Sequence, residues 1–375
     1  MNLVVVIPYF YPANIYGGPI FAAYNLCKKI AEIGVNVDVI TTNINGKKKL
    51  DVMPNVFISQ SGLKVKYYNQ YLFPYFSHKM IFGLANDIKN ADVVHIQSIY
   101  SLSTVLALFH SFLQNKAVLI SPRGSLSPWS FKHRGLMKRL WIKILIKPFM
   151  KCIHWHATSQ KEIREIQKFF PNADIELVSD GVSIEESTIK SLCNTKWQNS
   201  FYIACLGRLH KVKGYDIMLK AMPKILKNYS KIKLFIAGMD EGELDNLIEL
   251  SNSLKIQDNV EFVGQLEGDN KNCFLKYAQC LVMPSHTENF GLVAPEALFQ
   301  NTPVIASINT PWKVLNTEKA GFHVINTPEA ISDSVIRLIK EVDLYSKNTN
   351  QVVKQFYWSK IAIRYKSVLF KLYKS

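Results

Sequence analysis

The sequence predicts an α/β protein built from two doubly wound domains, and three observations predict it. The chain has 375 residues, more than one hydrophobic core ordinarily serves. Short apolar runs alternate with stretches of helical period, the pattern of parallel βαβ units. After a polar stretch near the middle the same alternation begins again, which calls for a second sheet. With 48% hydrophobic, 12% aromatic and 20% charged residues, the composition is that of a packed globular chain and not of a disordered one.

In the first domain, Leu3 to Ile7 is apolar with no basic stretch before it and no small-residue cleavage site after it. It is therefore expected to be a buried strand, not a signal peptide. Phe21 to Ile33 has helical period, and Gly34 is placed to end that helix as its C′ residue. Further strands are expected at Val35 to Thr41, Ala91 to Ile96, Ala117 to Ser121 and His154 to Thr158, and Ser159 with Glu162 reads as a capping box opening another helix. In the second domain, strands are expected at Phe201 to Leu206, Lys233 to Ala237, Asn259 to Val263, Cys280 to Met283 and Pro303 to Ala306. Between the two, Ser183 to Asn199 is polar without clear period and is read as the linker. The expected division is 1–185, 198–350, and a last helix over 351–375 packing back toward the first domain.

The apolar stretch Trp141 to Cys152 is interrupted by Lys143, Lys147 and Lys151, well short of the roughly 20 apolar residues a spanning helix needs. A soluble or peripheral protein is expected, cytoplasmic in location. The cysteines Cys27, Cys152, Cys193, Cys205, Cys273 and Cys280 form no C-x-x-C pair, so neither a zinc site nor a disulfide framework is expected. Each is read as a small buried hydrophobe in a reducing compartment.

A formal charge of +16 calls for an anionic partner. The excess is local, because no acidic residue lies between Asp92 and Glu162. Within that span Arg139, Lys143, Lys147 and Lys151 recur every four residues, the spacing of one helix face, with Leu140, Trp141, Ile144 and Leu145 beside them and Pro148 as an interruption. A basic helix over 134–151 is thus expected, either as a solvated face or as a dock for an anionic membrane surface. No recognised nucleic-acid motif accompanies the bases, so no nucleic-acid partner is expected.

Ligands of open parallel sheets sit outside the carboxyl ends of the strands, so the residues after each strand carry the functional reading. The strand ending at Leu206 runs into Gly207-Arg208-Leu209-His210-Lys211-Val212-Lys213-Gly214. Arg208 offers a planar fork to phosphate oxygens and Lys213 a point charge, which together read as a pyrophosphate clamp. The strand ending at Met283 is followed by a loop holding Glu288 and by a helix holding Glu296. A helix opening near Gly291 would turn its free N–H groups toward the same ligand. Glu296 is suited to accept hydrogen bonds from ribose hydroxyls, and Glu288 reaches beyond the phosphates.

The E-x7-E spacing of Glu288 and Glu296, the G-R-x4-K-G run from Gly207 to Gly214, and the pair Gly17-Gly18 in the first loop together resemble glycosyltransferase family 4. The resemblance implies a GT-B fold, with two Rossmann-like domains facing each other across a cleft. It implies a retaining enzyme that takes a nucleoside-diphosphate sugar as donor and needs no metal or other cofactor. Arg208 and Lys213 would stabilise the departing diphosphate and Glu288 would orient the sugar, with Asn289, Phe290, Gly291, Leu292 and Glu296 also binding substrate. In the first domain the resemblance puts Gly17 and Gly18 beside the donor phosphate and acceptor. His95 either faces the cleft or is satisfied by backbone. Ser121 to Trp129 and Thr310-Pro311-Trp312 look like bacterial transferases that assemble O-antigens, capsules and exopolysaccharides. This implies a lipid-linked saccharide acceptor.

Two positions depart from the family pattern. Arg123 stands where many relatives have histidine, and is read as binding a phosphate or an acidic sugar. Ser179-Asp180-Gly181-Val182 stands where P-N-G-V is common. The competing readings are a sugar-nucleotide 2-epimerase of similar architecture and a non-catalytic glycosyltransferase-like subunit.

Overall fold

The computed structural model describes residues 1–71, 77–132, 134–184, 188–191 and 193–374. It divides into two compact units, Met1–Gly181 with Trp358–Ser375, and Val182–Tyr357. Each is a Rossmann-like α/β unit.

The first unit holds one sheet of β1 (Asn2–Val6), β2 (Asn36–Thr42), β5 (Phe57–Gln60), β6 (Leu63–Tyr68), β7 (Val93–Gln97), β8 (Ala117–Ser121), β9 (Ile153–Ala157) and β10 (Ile175–Leu177), with a small hairpin β3 (Ile44–Asn45) and β4 (Lys48–Lys49) beside it. The order is β10-β9-β8-β7-β1-β2-β6-β5, and every pairing is parallel except β5 with β6. The central strands are buried on both faces, which is why they read as unbroken apolar runs without alternation. One face packs on a core that includes Val6, Ile96, Ile120, Trp155 and Phe170. The other is covered by the helix Gly18–Glu32 and by the C-terminal helix Trp358–Lys374. The N-terminal cap at Ser159 forms, its hydroxyl accepting from Glu162 N. The Glu162 carboxylate reaches Thr158 N and Gly124 N at 2.8 Å each, so the expected box also ties the β8 loop to this helix.

In the second unit, β11 (Tyr202–Leu206), β12 (Lys233–Ala237), β13 (Val260–Gly264), β14 (Cys280–Met283), β15 (Val304–Ser307) and β16 (Gly321–Val324) follow the order β13-β12-β11-β14-β15-β16, all parallel. Winding reverses between β11 and β14. That reversal leaves a crevice at the strand ends, the place where such sheets take ligands. The segment before β11 packs on this unit: Trp197 is buried against Tyr202, Phe235 and Phe274. Residues 185–187 and 192 of the expected linker lie outside the described residues.

Two expectations need correction. Cys193 and Cys273, separated by 80 positions, are joined in a disulfide. No local spacing marks a pair so far apart in sequence, so reading the cysteines one by one as free hydrophobes missed it. Cys27 and Cys280 do behave that way, and burial pushes both thiols up to about 12. The basic segment is not one α-helix. It runs as an α-helix at Gly135–Trp141, a π-helix at Ile142–Ile146 and a 3₁₀-helix at Lys147–Cys152 that has Pro148 in its first turn. Among the described residues no helix is long and apolar enough to cross a membrane.

Candidate active site

Three loops of the second unit meet at the reversal between β11 and β14. After β11 the chain enters a short 3₁₀ turn, Lys211–Lys213, capped by the His210 ring, and leaves it through Gly214 at φ +66°. A Cβ at Gly214 would stand 2.1 Å from Pro284 O, so only glycine permits both this backbone and this approach of the loop after β14. His286 N donates to Val212 O at 2.8 Å, which fastens the two loops together. Their closeness brings Lys213 Nζ to 2.5 Å from Glu288 Oε1, which also accepts from Ser285 Oγ at 3.0 Å. Lys213, Tyr215, Ser285 and Glu288 line a recess floored by Leu206, Val282 and Met283.

The loop after β12 supplies the third side. Asp240 Oδ1 accepts from the backbone N–H groups of Gly242, Glu243 and Leu244, and these bonds hold its carboxyl below the usual range. Leu209 N donates to Met239 O at 2.8 Å and Glu241 N to Leu209 O at 3.1 Å, so this loop runs beside the one carrying Arg208. Arg208 Nη1 lies 2.6 Å from Glu241 Oε1. Glu296 is met by Lys271 Nζ at 2.9 Å. Each predicted cation or ribose-binding carboxylate thus has an ionic partner in the free protein.

The stretch Asn289-Phe290-Gly291-Leu292 joins Glu288 to the helix Val293–Phe299, which opens two residues beyond Gly291. Its shape is set by burial. The Phe290 ring packs in a cluster with Trp312 and Phe356, and Trp312 Nε1 donates to Phe290 O at 2.7 Å. The Thr310-Pro311-Trp312 motif therefore braces the loop that presents Glu288.

The structure brings Lys213 and Glu288 together, while Arg208 and Glu296, also in the second unit, are paired with Glu241 and Lys271. Gly17, Gly18, His95 and Arg123 belong to the first. Gly17, at φ +69°, precedes the helix whose first residue is Gly18. His95 is buried in the middle of β7, bonded to Ser121 Oγ at 2.8 Å and to the Tyr365 hydroxyl at 3.0 Å. Ser121 also meets His156 Nδ1 at 2.6 Å. Burial first, and then the nearness of His156 and Arg123, hold the pKa of His95 well below the ordinary histidine value. His95 is thus satisfied, by side chains instead of backbone. Arg123 pairs with Asp180 and donates from Nε to Gln97 Oε1 at 3.3 Å, while Arg123 Nη2 and Gln97 Nε2 find no acceptor among the described residues. Sequence reasoning did not find Lys271 or Glu241, because neither lies in a recognisable motif. Only the folded loops show that they face Glu296 and Arg208.

Residues 16–186 match the family model Glycosyltransferase Family 4, and residues 194–355 match Glycosyl transferases group 1. An uncharacterised glycosyltransferase of Methanocaldococcus jannaschii is 33% identical over 166 residues, 43% of this chain and 42% of that one. The O-antigen biosynthesis glycosyltransferase WclY of Escherichia coli is 26% identical over 213 residues, 55% of this chain and 58% of that one. The chain thus spans about half the length of these curated relatives. Among solved structures, Anabaena HepE in complex with UDP and glucose superposes with a TM-score of 0.78 at 16% identity, over 99% of this chain and 100% of that one. The fold class is GT-B, two Rossmann-like domains with parallel sheets. The first family-model match thus falls mainly on the first unit and the second within the second unit, so both halves of the chain are similar to glycosyltransferase domains.

Proposed function

We propose that this chain is a retaining glycosyltransferase that moves a sugar from a nucleoside-diphosphate sugar to a lipid-linked saccharide in surface polysaccharide assembly. The observation that carries the reading is the meeting of Lys213 and Glu288 at one recess at the sheet's reversal, with Arg208 on the same loop as Lys213 and Glu296 on the helix after Glu288. A diphosphate is the ligand class suited to an arginine fork and a lysine beside loop backbone. Arg208 and Lys213 stabilise the charge that grows on the leaving diphosphate, which is the main demand of this chemistry and makes a metal unnecessary. Lys213 exchanges Glu288 for phosphate as the donor arrives. Glu288, released, orients the sugar hydroxyls and offsets positive charge at the anomeric carbon. Glu296 accepts from the ribose hydroxyls.

The UDP complex of HepE supports a nucleotide-sugar donor, and the name of WclY supports surface polysaccharide as the destination. The basic segment 134–151 supports an acceptor held at an anionic membrane, with the protein on the cytoplasmic face. The test is a screen of UDP-, GDP-, ADP- and CMP-sugars for thermal stabilisation, followed by transfer assays with and without EDTA. One class of donor should raise the melting temperature by mass action, and its turnover should survive EDTA. Stabilisation by none of them, or activity that returns only with Mg²⁺ or Mn²⁺, would remove the donor or the metal-free reading respectively.

A further inference from the structure

We infer that the first unit carries an apolar row that enters the lipid bilayer, so that its membrane contact is insertion as well as charge. This rests on the reading above that segment 134–151 meets an anionic membrane. Leu136, Met137, Leu140 and Ile144 are 82%, 65%, 55% and 56% exposed, although the spacing of the sequence would allow them to be core. The core-facing role falls to Ile142 and Ile146, which are buried at 2% and 0%. Leu136, Leu140 and Ile144 recur every four residues, and Arg139, Lys143 and Lys147 do the same one position earlier or later, all exposed. An apolar ridge therefore runs beside a basic one.

On 3.6-residue turns a spacing of four drifts around the helix. The wider π turn at Ile142–Ile146 takes that drift back, so both rows keep their heading along the segment. The ridge does not stand alone. Phe112, half exposed on the helix Leu102–Leu113, meets the Phe149 ring edge-on at 5.7 Å, which joins the 3₁₀ turn to that helix, where Leu113 is also exposed. An exposed apolar row of this kind, flanked by bases, has the chemistry of the headgroup–acyl boundary, where side chains of one ridge enter the hydrocarbon and those of the other meet lipid phosphates. A solvated face explains the basic row but not the apolar one. The absence of any acidic residue from Asp92 to Glu162 favours an anionic bilayer over a second, equally basic copy of the chain.

The experiment compares the full chain with a Leu136→Ser, Leu140→Ser, Ile144→Ser variant and an Arg139→Gln, Lys143→Gln, Lys147→Gln variant. Binding is measured to phosphatidylcholine vesicles with and without phosphatidylglycerol, at low and high salt. The serine variant is expected to bind anionic vesicles at least tenfold more weakly, with its melting temperature and donor binding retained, and to lose the binding that the parent keeps in high salt. A Leu140→Trp reporter is expected to shift to the blue on binding and to be quenched by lipids brominated in the acyl chain. Parent binding that salt abolishes, with the serine variant equal to the parent, would overturn insertion and leave the charge reading standing. No binding by the parent to any vesicle would overturn both. A parent that sediments as a dimer, dispersed by the serine changes, would assign the ridge to a second copy instead.

Discussion

Arg123 and Asp180, 57 positions apart, form a buried ion pair in the first unit. They occupy the two places where the sequence departs from the family pattern, and each departure answers the other. Burial opposes the guanidinium's charge, but Asp180 beside it holds the Arg123 pKa above its ordinary value. Removing one partner leaves a buried charge unpaired. Asp180→Ala is therefore expected to destabilise by about 3–5 kcal/mol, and the double change Arg123→Met, Asp180→Ala by clearly less. Denaturant titration of the three proteins checks this, and an additive double variant would remove the pairing argument.

The buried histidines give the stability a pH dependence of known sign. Burial first, and Arg123 second, push His156 down to about 3. The folded protein therefore keeps this ring neutral while the unfolded chain protonates it near the ordinary value of about 6.5. The contribution is present above that value and is lost as pH falls from there toward 3. His156→Gln can keep the contacts to Ser121 and Val178 without titrating. Between pH 7 and 4 the melting temperature of the variant should fall less steeply than that of the parent; parallel curves would refute the assignment.

Reduction should act on the second unit. The Cys193–Cys273 disulfide closes a long stretch of chain and fastens the segment before β11 to the helix Gly268–Lys276. Such a link contributes about 2–4 kcal/mol, or roughly 4–16 °C for a unit of this size. A shift of that order is expected in the Cys193→Ser, Cys273→Ser variant, and in the parent with dithiothreitol. An unchanged transition in both would show that the link adds nothing to stability.

At the recess, Lys213→Ala and Arg208→Ala are each expected to reduce donor turnover at least tenfold, since a charge-assisted hydrogen bond contributes about 1.5–3 kcal/mol. Glu288→Gln should lower kcat more than it raises KM, because its role strengthens in the transition state. Steady-state kinetics with the donor from the stability screen decide the matter. Wild-type values in both cation variants, or a pure KM effect at Glu288, would reassign these residues.

Much of this was legible in the sequence because the central strands are buried on both faces and so announce themselves as short apolar runs. Tyr202 to Leu206 and Cys280 to Met283 are of this kind. The antiparallel edge pair Phe57–Gln60 with Leu63–Tyr68 was not, since its residues alternate with lysines and polar groups and face solvent on one side. The candidate site was legible where chemistry follows a strand end directly, as at Arg208 and Lys213. It was illegible where a partner arrives from a remote loop or helix: Glu241 lies 33 positions from Arg208, and Lys271 lies 25 from Glu296. The basic segment showed its period but not its exposure, because leucine and isoleucine at helical spacing ordinarily mean core.

The return of the chain at Trp358 leaves the first unit discontinuous in sequence. The second unit draws all its parts from one continuous stretch, whose ends meet where Val182 bridges Tyr357. The first unit does not. The helix Trp358–Lys374, which lies beyond the whole second unit in sequence, covers one face of the helix Gly18–Glu32 and of strand β7 and brings the Tyr365 hydroxyl to His95. That helix is therefore tied to the unit it completes only through the chain of the second unit and by its own packing.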